Sequence, residues 1–308
     1  MADPWRTAIP TTVGALLILV TLRDVVHELF HPDRTGSLSR AVTRWVWRAL
    51  RALGKRHRGA LYSAGPTILV AVAFTWTGLL LLGWALLYWP RLPQQFNPNP
   101  HLPPDATHGF LTAIYVSLAS ITTLSASDLT PQSWLMRLVV ALESFVGPVL
   151  FTAWITWVLG IYPVIASRRA FAREVELLRR AQPDPDAAVR ELPDGVLAGT
   201  LRSLTEQVLM MGAHLRQSRV TYYFQNDSVE STLTRQFPYA LALGRAAESR
   251  GADPAARHHG AMLRMAVEMV LGEMGKQFLD MEHAPPERVL DAMAEDHLLS
   301  DVRATAEV

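Results

Sequence analysis

Three stretches of the chain are apolar enough to leave water. Residues 66–89 carry no charge and would span about 36 Å as a helix, more than a bilayer core needs. Residues 144–167 are also free of charge, inside a helix predicted from Pro131 to about Arg180. The first stretch is shorter: residues 13–22 are uncharged. It reaches the roughly 20 residues of a crossing only by continuing through Arg23, Asp24, His27 and Glu28. A membrane helix is therefore predicted over 9–30, with its charges near the boundary, where Arg23 can snorkel. Between the second and third stretches lies a shorter apolar run, predicted as a helix over 110–124 followed by a loop over 125–131. A segment too short to cross, set between two that can, reads as re-entrant. Irregular backbone at that depth must be buried in protein or line a wet cavity.

The remaining segments are polar or amphipathic. Residues 36–59 hold Arg40, Arg44, Arg48, Arg51, Lys55, Arg56 and Arg58, with Val42, Trp45, Val46, Ala49, Leu50 and Leu53 recurring between them at helical spacing. That pattern suits a helix lying on a membrane surface. Residues 90–109 hold Pro90, Pro93, Pro98, Pro100, Pro103 and Pro104 and predict an extended outer turret rather than a packed element. Residues 182–195, with Pro183, Pro185, Pro193 and Gly195, predict a linker. Beyond it, Leu197, Leu201, Leu204, Val208, Met211 and Leu215 step by threes and fours, the apolar face of a packed helix. Three further helices are predicted over 229–247, 262–278 and 289–299.

The fold class is thus an all-α membrane protein. Its expected organisation is an N-terminal membrane helix (1–35), a basic interfacial segment (36–62), a two-helix unit with the re-entrant segment (63–180), a linker (181–195) and a four-helix cytoplasmic bundle (196–308). Basic residues mark the cytoplasmic side. Residues 36–59 and Arg168, Arg169 and Arg173 agree on an N-terminus outside and a bundle inside the cell membrane. Trp76, Trp84, Tyr88 and Trp89 suit an aromatic belt at the outer boundary.

Charge sharpens the picture. Residues 1–165 carry 12 Lys/Arg against 7 Asp/Glu, and residues 166–308 carry 17 against 21. A mildly acidic soluble part argues against nucleic acid as partner. The chain has no cysteine, which excludes disulfides, thiolate catalysis and cysteine zinc sites. The N-terminus lacks the basic run and cleavage site of a secretory signal. No glycine-rich nucleotide fingerprint follows a strand, no β-roll pattern for cyclic nucleotides occurs, and no arginine-repeat voltage sensor lies within a span. No cofactor is implied.

His27, Glu28 and His31 satisfy the H-E-x-x-H spacing, which on a helix puts two imidazoles on one face, fit for zinc with Glu28 as base. Pro32 ends the helix at once, and after Asp33 the next acid is Asp105, so an interfacial polar cluster accounts for the pattern better than a protease. Met262, Met265, Met269, Met274 and Met281 read as core, and His258–His259 is too isolated for a metal site.

Tyr115, Ser117, Thr122, Thr123, Leu124, Asp128, Pro131, Arg137, Glu143 and Gly147 together resemble the pore region of the tetrameric potassium-channel superfamily, over roughly residues 66–170. In that family a pore helix leads into a T-V-G-Y-G filter, an Asp, a Pro and a last membrane helix. Thr122, Thr123 and Leu124 match the filter's start. Ser125, Ala126 and Ser127 stand where the family has Gly-Tyr-Gly. Those glycines supply positive φ, and a side chain there costs about 1–2 kcal/mol, or about 8–16 kcal/mol for two positions in four subunits. The resemblance implies a homotetramer whose loops line a passage for ions, here wider and wetter than a carbonyl cage. Thr123, Ser125 and Ser127 would offer hydroxyls or amides to it. Asp128 is expected at the outer mouth, favouring monovalent cations, or bracing the loop. Glu143 needs a partner at membrane depth, with pore-helix hydroxyls the candidates. Gly147 and Pro148 are expected to bend the last helix as a gate hinge, with Phe151, Thr152, Ile155 and Leu159 as candidate cavity residues. The expected activity is conduction with weak potassium selectivity, not enzymatic. The alternative is a non-conducting scaffold or sensor acting through the helical bundle.

Overall fold

In the computed structural model, residues 4–30, 36–57, 59–101, 107–124, 128–225, 232–250 and 253–299 are described. They form α1 (Pro4–Phe30), α2 (Ser37–Gly54), α3 (Gly59–Tyr62), α4 (Ala64–Tyr88), β1 (Phe96–Pro98), α5 (Phe110–Ile121), β2 (Leu129–Pro131), α6 (Trp134–Ala181), α7 (Pro185–Glu191), α8 (Asp194–Gln217), α9 (Leu233–Arg250), α10 (Pro254–Phe278) and α11 (Pro286–Asp296). Short 3-10 turns occupy Trp89–Arg91 and Arg219–Tyr223. Three helices are long and apolar enough to cross a membrane, over Trp5–Leu29, Ala64–Arg91 and Trp134–Ala181. The most apolar stretch of the third is only 11% buried within the chain, so lipid or other copies must cover the rest.

Two compact units emerge. One comprises Met1–Arg44 with Ile68–Leu159, the other Trp45–Thr67 with Gly160–Val308. This division differs from the boundaries expected at 63, 180 and 196. The reason is packing: Phe171 and Val175, on the distal part of α6, sit in the core of the helical unit.

In the first unit α1 lies against α4 at two glycines. A Cβ on Gly14 would stand 2.5 Å from the Gly83 carbonyl oxygen, and one on Gly83 would stand 2.8 Å from Ile18 Cγ1. At the far end of α1, Asp24 is buried and accepts hydrogen bonds from Leu38 N at 2.9 Å, Ser39 N at 3.0 Å and Ser39 Oγ at 2.5 Å. Those amides open α2, so a side chain from α1 supplies the cap that Ser37–Gly54 would otherwise lack. Trp76 Nε1 donates to the same carboxylate at 3.0 Å, and its ring meets Trp157 of α6 at 5.9 Å. The charge at the end of this span is thereby satisfied inside the protein.

The proline-rich turret packs, contrary to the expectation of a purely extended segment. β1 and β2 pair antiparallel, with Phe96 opposite Pro131, Asn97 opposite Thr130 and Pro98 opposite Leu129. Phe96 and Leu129 are buried, and Phe96 meets Tyr88 edge-on at 5.7 Å. Prolines at the ends of such short strands remove few ladder bonds, so the pairing survives them.

The second unit is a helical bundle whose core takes Leu201, Leu204 and Val208 from α8, Phe237 and Leu243 from α9, Leu263 and Val267 from α10, and Val289 from α11, all fully buried. Each such side chain contributes about 1.5–3 kcal/mol of transfer free energy. Helices α9 and α10 approach so closely that a Cβ on Gly260 would lie 2.9 Å from the Gly244 carbonyl oxygen. The expected linker is also corrected. Asp184 caps α7 by accepting from Asp186 N at 3.0 Å, Pro185 occupies its first turn, and Ala188 and Val189 enter the core. Among the methionines expected to be core, Met274 is buried, whereas Met265 and Met269 are 52% and 49% exposed.

Candidate functional site: the short apolar helix and its flanks

The short helix α5 has the composition of an element wedged among others. Ala113, Val116, Ser117 and Ser120 fall on one face and are buried, while Leu111, Tyr115 and Leu118 on the opposite side are exposed. Its N-cap is Gly109 with φ 118°, a backbone conformation glycine adopts freely.

Its C-terminus falls three residues before the expected one. Thr122 is the C-cap, Thr123 N donates to Ser120 O at 3.0 Å and Leu124 N to Ala119 O at 2.9 Å. This is the Schellman closure, whose left-handed position is usually glycine. Here Thr123 fills it with φ 58°, at a cost of about 1–2 kcal/mol. A β-branched residue held this way signals surroundings that over-determine the backbone. Thr122 and Thr123 are exposed in the single chain, and Thr122 Oγ1 donates to Leu118 O at 2.6 Å. Leu124 is 76% exposed. Ser125, Ala126 and Ser127 lie outside the described residues.

Glu143 fastens α5 between the two membrane-length helices. It is fully buried on α6. Ser117 Oγ of α5 donates to Oε1 at 2.5 Å and the Tyr88 hydroxyl of α4 donates to Oε2 at 2.6 Å. Ser117 also reaches Leu81 O at 3.1 Å. Both carboxylate oxygens are thus occupied by hydroxyl donors from two neighbouring elements. Nearby, Gly147 leaves room for the end of α5: a Cβ there would stand 1.9 Å from the Ile121 carbonyl oxygen. Helix α6 continues unbroken through Gly147 and Pro148.

The loop's return is also tied. Tyr115 OH donates to Asp128 Oδ2 at 3.1 Å, Asn99 N donates to Asp128 O at 2.8 Å, and Arg137 Nε donates to Pro131 O at 3.2 Å. Under the end of α5 lies an open cavity of about 620 Å³, lined by Phe74, Thr122, Thr123, Gly147, Phe151 and Trp154. It is mostly apolar, with three threonines, Thr77, Thr122 and Thr123, on its lining, an arrangement able to hold water beside their hydroxyls. Thr152, Ile155 and Leu159 do not line it.

Sequence reasoning missed Tyr88, assigned to an interfacial belt, and Trp76 as a donor to Asp24. No local signal marks either, because their partners lie 55 and 52 residues away. The H-E-x-x-H residues do other work. His27 Nδ1 pairs with Arg23 O at 2.8 Å and Glu28 Oε2 accepts from Gly36 N at 3.3 Å, while His31 lies outside the described residues. Among the described residues no group of three or more potential ligands could hold a metal.

No family model matches the chain, and no solved structure matches it. It is 26% identical over 163 residues to an uncharacterized membrane protein, YdjJ, of Bacillus subtilis (strain 168). The match covers 53% of this chain and 47% of the relative, so the chain spans about half the length of the curated relative it matches. With three helices able to cross a bilayer and such a relative, the chain is a helical membrane protein.

Proposed function

We propose that the chain is one subunit of a homotetrameric ion channel of the cell membrane, passing monovalent cations with weak potassium selectivity. The observation that carries this reading is the clamping of α5 by Glu143 between α4 and α6, with Thr122 and Thr123 exposed at its end. A twelve-residue apolar helix followed by irregular backbone needs protein or water around it at membrane depth. Four copies about one axis would provide both. The bare apolar face of α6, with Leu138, Leu142, Phe145 and Val149 exposed, gives such copies and the surrounding lipid a surface to cover. Asp128 faces the ion entrance in this arrangement, the N-terminus lies outside and the helical unit lies in the cytoplasm. Gly147 and Pro148 serve as the hinge of the gate.

Planar-bilayer recording of the purified chain, with sodium on one side and potassium on the other, tests the proposal. A cation current reversing near zero is expected, from particles whose mass is that of four chains. Reversal at the potassium equilibrium value overturns the weak selectivity. Absence of flux under every gradient and voltage overturns conduction.

A second reading, a non-conducting scaffold or sensor, draws on the exposed Met265 and Met269 of α10 and Leu209 and Met210 of α8. Such flexible apolar side chains suit docking to a protein partner. It predicts no flux, and a cellular role that survives substitution of Thr123 and Asp128.

A further inference from the structure

The helical unit contains a partly enclosed cavity that conduction does not use. Its walls include Arg168 from α6, His297 just beyond α11, and Thr221, Gln225, Thr234 and Met293. The space open to the centre of a water molecule is about 40 Å³, room for roughly three waters.

Two polar atoms at this cavity lack partners. Arg168 donates through one terminal nitrogen to Thr221 O, but its Nε is sealed from solvent and makes no hydrogen bond. His297 is 8% exposed, and its Nε2 is likewise buried and unpaired. The neighbouring carboxylate is spent elsewhere. Asp296 accepts from Tyr222 OH at 3.0 Å and from Trp47 Nε1 at 3.4 Å, and it pairs with Arg51 at 3.4 Å. Among the described residues no carboxylate forms an ion pair with Arg168. A guanidinium with a buried open donor and no counter-charge is unfavourable unless something fills the gap.

We propose that this cavity binds a small oxyanion of the carboxylate or bicarbonate type, held by Arg168 and His297. The planar guanidinium fork matches two oxygens on one carbon. A neutral imidazole carrying its proton on Nε2 adds a third donor. Volume sets the class: three or four heavy atoms fit, and a nucleotide or sugar phosphate does not. The site belongs to the helical unit alone and does not depend on whether the protein conducts.

The test is calorimetric and thermal titration of the full chain in lipid nanodiscs with formate, acetate, bicarbonate or phosphate, against chloride at constant ionic strength. Saturable binding of at least one of the first three is expected, raising the melting temperature by on the order of 5 °C at a hundredfold excess over Kd. Arg168→Met should weaken it about 10–100-fold, the loss of a charge-assisted hydrogen bond. Arg168→Lys should retain part of it, and Arg169→Gln should leave it unchanged. Lack of saturable binding to the unaltered chain overturns the proposal and leaves the cavity to water. Binding that is equal in Arg168→Met and the unaltered chain, or that favours phosphate alone, overturns it too.

Discussion

At the scale of single residues, Glu143 and Thr123 define opposite demands. Glu143 offers two oxygens and receives two hydroxyl donors, so its burial is matched rather than strained. Glu143→Ala would leave the Tyr88 and Ser117 hydroxyls short of an acceptor, although Ser117 keeps Leu81 O within reach. Thermal melts of the purified chain should show a loss of roughly 2–4 kcal/mol. Glu143→Gln keeps an acceptor for one hydroxyl, and the other can turn to accept, so less than half that loss is expected. Equal losses would mean that volume, not hydrogen bonding, holds α5. Thr123 works the other way. It stores backbone cost at the point where α5 stops, and among the described residues its exposed hydroxyl makes no hydrogen bond that would offset that cost.

At the scale of elements, α2 shows how one helix depends on another for its first turn. Asp24 caps it from α1, and Gly36 passes so close that a Cβ would stand 2.1 Å from Asp24 Oδ1. Asp24→Ala orphans the Ser39 hydroxyl, two amides and the Trp76 indole, and should cost about 3–5 kcal/mol. Hydrogen exchange at Leu38 and Ser39 should accelerate in step, and Asp24→Asn should do less damage. The sequence made the membrane helices legible because length and missing charge are local properties. It also made the basic amphipathic character of α2 legible, but not its cap, since a buried aspartate in a span looks the same whether it serves a helix, an ion or a zinc site. The end of α5 was misread because two threonines carry no stop signal where glycine would. The β1–β2 pairing was hidden by three-residue strands flanked by prolines. The partners of Glu143 were legible as a class, hydroxyls from the short helix, while Tyr88 required the fold.

At the scale of the whole molecule, stability against pH should be governed by His297. Burial, aided by Arg168 and Arg51 and opposed by Asp296, lowers it to about 4 from an ordinary 6.5. The folded value lies below the unfolded one, so the unfolded chain takes up the proton first as pH falls. Stability is therefore full above about pH 6.5 and declines toward pH 4, by up to about 3 kcal/mol. Glu248 is likewise held below its usual range, by its bond to Arg264. Its contribution fades only below about pH 4.5, and its exposure keeps that contribution small. Melting curves between pH 7 and 4.5 should slope for the unaltered chain and flatten for His297→Gln. A further consequence follows from the contact at Gly147, where the carbonyl of Ile121 occupies the space of a missing side chain. Turning α6 about its own axis by a single residue would swing Val146 or Pro148 into that oxygen. At this point the two helices are keyed together by an absence of side chain, and a roll of α6 there is opposed by direct collision with the end of α5.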